Sequence, residues 1–118
     1  TTVIACGAHV DTAIQALEQS DAAFGLYSAR AIKPLDEKTL NHIAKVADTI
    51  IVMEDNAVIG GLGALIEDYY AKENIGQHVI KMGVPDRFVT HGRVEMLNKE
   101  IGLTAEDLVK KVTENETR

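Results

Sequence analysis

The stretch Thr49-Ile50-Ile51-Val52-Met53-Glu54-Asp55-Asn56-Ala57-Val58-Ile59-Gly60-Gly61-Leu62-Gly63 decides the reading of the chain. It opens as a nearly unbroken apolar run over 49–53, which is what a strand buried on both faces requires. It closes on a glycine cluster that leads into Leu62, Leu65, Ile66, Tyr69 and Tyr70, spaced as one face of a helix over 62–73. Strand, turn and helix in that order are the repeating part of a parallel β-α-β arrangement.

The rest of the sequence repeats this alternation. Further apolar runs lie at 3–6, 24–28 and 78–82. A helix over 9–19 carries Val10, Ala13, Ile14 and Leu17; another over 37–47 carries Leu40, Ile43, Ala44 and Ala47. Asp36 is a suitable N-cap for the second, with Leu35 stapling to Leu40 across it. After the fourth run come Val94, Leu97 and Ile101, then a last helix with Ala105, Leu108, Val109 and Val112. Thr104 and Asp107 form its capping box, and Leu103 staples to Leu108. The polar segment 113–118 is expected to fray, so residues 1–112 read as a single domain followed by a short tail.

Strands alternating with helices of 10–15 residues predict an α/β fold in three layers, α/β/α, around a mainly parallel sheet. The runs at 3–6 and 49–53 are uninterrupted and read as central strands. The run at 24–28 contains Gly25 and Ser28, and the run at 78–82 contains Lys81, which suits edges. Right-handed crossovers then give the spatial order 2-1-3-4. The connections leave strands 1 and 3 in opposite directions, which opens a crevice at their carboxyl ends. Gly7-Ala8-His9 and the segment from Glu54 to Gly63 line it.

Composition narrows the partners. Twelve Lys+Arg against 18 Asp+Glu leave the 118-residue chain at −6, which argues against a nucleic-acid module. Hydrophobic residues at 46% and charged residues at 25% are ordinary for a globular domain. With 4% aromatics and no Trp, the core is expected to be aliphatic. The single cysteine, Cys6, excludes an internal disulfide framework and a cysteine-based zinc site, and reads as an inert core thiol. No apolar run approaches the ~20 residues that span a bilayer. The chain opens on Thr1 directly into a strand, which suggests a piece of something larger.

Several clusters could carry chemistry. Gly60, Gly61 and Gly63 at a helix start could direct backbone N–H groups at an anion, but they match neither G-x-G-x-x-G nor a P-loop. Tight turning, or close packing against a neighbouring domain or subunit, is the plainer role. Glu54 and Asp55 leave a strand on opposite faces, so they do not form an acid/base pair; one is expected to hydrogen-bond the glycine loop and the other to be solvated. Arg30 and Lys33 follow strand 2 and could hold a phosphate or a partner's carboxylate; an interface salt bridge or a solvated rim is the plainer role. His9 is read as a surface residue at a helix start, and His91 as part of a turn. Neither the histidines nor Cys6 assembles a nucleophilic or metal-binding set.

The segments Ala29-Arg30-Ala31-Ile32-Lys33-Pro34-Leu35-Asp36, Met53 through Gly63, Met82-Gly83-Val84-Pro85-Asp86-Arg87-Phe88-Val89-Thr90-His91-Gly92 and Ile101-Gly102-Leu103-Thr104-Ala105-Glu106-Asp107-Leu108 occur in that order. Together they resemble the C-terminal domain of the 1-deoxy-D-xylulose-5-phosphate synthases, thiamine-diphosphate enzymes of the transketolase group. The resemblance covers essentially the whole chain. The first two segments are shared with transketolases and 2-oxoacid dehydrogenase beta subunits, whereas the third selects the synthases. Asp55 stands where the family carries a second Glu.

The resemblance implies condensation of pyruvate with glyceraldehyde 3-phosphate, with loss of CO2, feeding isoprenoid, thiamine and pyridoxal synthesis. It implies thiamine diphosphate and Mg²⁺ in a cytoplasmic, homodimeric full-length enzyme, held by domains that precede this one. No catalytic, cofactor-binding or metal residue carries over to this chain, and none of these groups is expected to bind it alone. Its partners would be the preceding domains and a second subunit, with no membrane or nucleic acid. Gly7, Arg30, Lys33, Glu54, Asn56, Gly60, Gly61 and Gly63 are the candidates for crevice and interface contacts. The family's sheet also has an antiparallel edge strand that would precede Val3. Two alternatives stay open: the C-terminal section of a split transketolase, and an independent anion- or nucleotide-binding module using the crevice.

Overall fold

The computed structural model describes residues 1–7, 9–28, 37–57, 61–84 and 104–116. Eight elements follow in the order β1 (Thr2–Ala5), α1 (His9–Gln19), β2 (Gly25–Ser28), α2 (Glu37–Val46), β3 (Thr49–Ala57), α3 (Leu62–Lys72), β4 (His78–Val84) and α4 (Ala105–Glu116). The four strands form one parallel sheet in the order β2-β1-β3-β4. The uninterrupted apolar runs take the two central places, as their burial on both faces demands.

Alternation along the central strands builds two cores, because successive side chains point to opposite faces. Ile4, Ile50 and Val52 face α2 and α3 and pack with Leu40, Ile43, Leu62, Ile66 and Tyr70. Val3, Ala5, Ile51 and Met53 face α1 and α4 and pack with Ala13, Ala16, Leu108 and Val112. The result is the expected three-layer α/β/α arrangement.

The first core is not wholly aliphatic. Tyr70 is among the largest fully buried side chains, and its hydroxyl donates to the Leu40 carbonyl at 2.7 Å, tying α3 to α2. Tyr69 donates to Asn41 Oδ1 at 2.8 Å across the same helix pair. A buried Tyr needs such a partner for its polar end. Burial, reinforced by neighbouring Tyr69, pushes the Tyr70 phenol up to about 12. The neutral phenol therefore contributes stability that is intact below pH 10 and lost as pH rises towards 12. Tyr70→Phe is expected to lower stability at pH 7 by about 1 kcal/mol and to flatten the alkaline loss. Urea midpoints of both proteins at pH 7 and pH 11 check it; an unchanged alkaline slope would remove Tyr70 from the account.

Several boundaries differ from the sequence expectation, most by one residue. β1 ends at Ala5, so Cys6 lies beyond it and is half-buried, packed against the edge of the first core rather than within it. β3 continues past Met53 to Ala57, and β4 to Val84. α4 runs through Glu116, so positions 113–116 continue the helix instead of fraying from it. Their lack of apolar residues hid this, since a helix end on the solvent side needs only its backbone bonds. The Asp36 cap and the staples through Leu35 and Leu103 lie outside the described residues.

The capping box of α4 is formed as expected. Asp107 N donates to Thr104 Oγ1 at 3.2 Å, and the Asp107 carboxylate accepts from Thr104 N at 3.1 Å and from Thr104 Oγ1 at 2.6 Å. Thr104→Ala should destabilise the domain by about 1 kcal/mol, read as a lower thermal midpoint with unchanged circular dichroism. No change at all would mean that α4 draws nothing from this cap.

Candidate functional site

The crevice at the carboxyl ends of β1 and β3 is shaped by an irregularity in β3. Met53 pairs with Met82, and the next pair in register is Ala57 with Val84, so four residues of β3 advance against two of β4. A bulge of this kind bends a strand and redirects a side chain. The residue at its start is Glu54.

Glu54 is 0% exposed. Its Oε1 accepts a hydrogen bond from the Leu62 backbone N–H, and its Oε2 accepts from the Gly63 N–H at 3.1 Å. These are the first two amides of α3, which otherwise lack intrahelical partners. Gly61, at the N-cap position, is extended and supplies no side-chain cap. A carboxylate at this end also meets the positive pole of the helix. Burial of a charge is tolerated only with such pairing. Of the two acidic neighbours, Glu54 is thus the one that binds the glycine turn; the Asp55 side chain lies outside the described residues.

Gly63 is required by close packing. A Cβ there would stand 2.6 Å from Lys81 Cγ and 3.0 Å from Glu54 Oε2. The Lys81 stem from β4 therefore lies across the first turn of α3, and its ammonium reaches Glu67 Oε1 at 3.0 Å. This contact was not legible in the sequence, where Lys81 signalled only an edge strand. Gly61, Leu62 and Gly63 are all buried by the chain itself.

The β1 side of the crevice turns at Gly7, whose φ of 51° lies in the left-handed region that favours glycine. His9 N donates to the Cys6 carbonyl and Val10 N to the Gly7 carbonyl, which starts α1. Gly7 is exposed. His9 is only 3% exposed, so the surface position expected from the sequence is corrected. It follows a tight turn off a buried strand, which folds the ring against the domain. Asn56 is within β3, with its side chain outside the described residues. Arg30, Lys33, Gly60 and His91 also lie outside them.

Among the described residues, the site offers no place for a diphosphate or its metal. The Leu62 and Gly63 amides that an anion would use are taken by Glu54. Among the described residues, no group of three His, Cys, Asp or Glu side chains could hold a metal ion. What the arrangement does is mechanical: one carboxylate fastens the end of β3 to the start of α3. Nor is any helix of the described residues long and apolar enough to cross a membrane.

Residues 1–108 match the family model "Transketolase, C-terminal domain". The chain belongs to that family. Among the relatives of this transketolase C-terminal domain is the 1-deoxy-D-xylulose-5-phosphate synthase of Aquifex aeolicus, 40% identical over 113 residues, covering 93% of this chain and 18% of the enzyme. The corresponding synthase of Carboxydothermus hydrogenoformans is 36% identical over 102 residues, covering 86% of this chain and 16% of the enzyme. The chain thus spans less than a fifth of these curated relatives. Among solved structures, one described as "Split gene transketolase, inactive beta4 tetramer" superposes with a TM-score of 0.78 at 31% identity. That similarity covers 96% of this chain and 37% of the other.

Proposed function

We propose that this domain serves as the C-terminal domain of a 1-deoxy-D-xylulose-5-phosphate synthase. The full enzyme would condense pyruvate with glyceraldehyde 3-phosphate, releasing CO2. The observation that carries this reading is the 40% identity to the Aquifex aeolicus synthase sustained over 93% of the chain. In this reading thiamine diphosphate and Mg²⁺ belong to other parts of a cytoplasmic homodimer. The domain supplies a rigid block against which the neighbouring domain and the second subunit pack. Exposed Gly7, together with Arg30 and Lys33, would contribute to those contacts, while Glu54, Gly61 and Gly63 keep the block stiff from inside. Asn56 and Gly60 would add to the same contacts.

The role is supporting rather than catalytic because the buried carboxylate at the crevice is committed to two backbone amides. A general acid or base must reach its substrate, and a fully buried, doubly hydrogen-bonded Glu54 does not. The test is to supply the isolated 118-residue chain with pyruvate, glyceraldehyde 3-phosphate, thiamine diphosphate and Mg²⁺ and to follow CO2 release. None is expected; turnover comparable to a full-length synthase would overturn the supporting role.

The likeness to the split-gene transketolase favours a second reading, in which the domain works as part of a separate subunit. The acceptor separates the two. An assembled enzyme that joins the pyruvate-derived fragment to glyceraldehyde 3-phosphate supports the synthase, whereas transfer between ketose and aldose phosphates supports the transketolase.

A further inference from the structure

We draw no further inference here: the strongest candidate, the outer edge of β2 at the end of the sheet with its half-buried Leu26 and Tyr27, carries none, because nothing among the described residues shows what covers it.

Discussion

Glu54→Leu is expected to destabilise the domain by about 4 kcal/mol, because it leaves two buried N–H groups without acceptors at ~1–3 kcal/mol each and removes a charge-assisted bond from both. Leucine matches the buried volume approximately, so the loss is not a cavity effect. The negative charge beside the positive end of α3 is lost as well, worth up to ~2 kcal/mol in a buried setting. Glu54→Gln should fall between native and leucine. Its amide oxygen still accepts from one N–H, while its NH2 group faces the other donor. Urea denaturation with a common slope measures all three. A leucine variant within 0.5 kcal/mol of native, the range of an ordinary surface substitution, would mean that Glu54 does not hold α3.

Gly63→Val should cost about 3 kcal/mol, at the upper end of what overpacking does. The added Cβ alone falls 2.6 Å from Lys81 Cγ, a mid-stem atom that cannot move without shifting the side chain, and 3.0 Å from the Glu54 carboxylate. Valine adds two further methyls against the same wall. Gly63→Ala should be milder, because alanine regains about 1 kcal/mol of helix propensity against the same first contact. Combining Gly63→Ala with Lys81→Ala frees the space over the helix turn. The pair should therefore be more stable than the sum of the single changes predicts, a coupling typical of residues in contact. Strict additivity would show that the lysine stem is not what makes glycine necessary.

How much of this was legible beforehand follows from where burial shows itself in residue type. Val3-Ile4-Ala5 and Thr49-Ile50-Ile51-Val52-Met53 declare central strands, since both faces of each are covered; the order of the sheet follows from them. The Thr104–Asp107 box was readable because capping is local. The extension of β3 to Ala57 was not, because Glu54, Asp55 and Asn56 break the apolar pattern while the strand persists through its backbone. His9 is buried although a helix start reads as a surface position, whereas Tyr70 lies on the apolar face that helical spacing over 62–73 marks. At the crevice, sequence identified an acidic pair and a glycine turn. Only the structure selects Glu54 as the residue that joins them and sets the Lys81 stem over Gly63.

The central claim, that this domain can stand as the C-terminal domain of a 1-deoxy-D-xylulose-5-phosphate synthase, is tested most directly by exchange. The matching stretch of the Aquifex aeolicus synthase, 40% identical over 113 residues, is replaced by this chain. Formation of 1-deoxyxylulose 5-phosphate from pyruvate and glyceraldehyde 3-phosphate is then measured at equal enzyme concentration. The account predicts product at a rate comparable to the parent enzyme, from a chimera with the parent's oligomeric state. A chimera that folds and assembles as the parent does yet forms no product would contradict it.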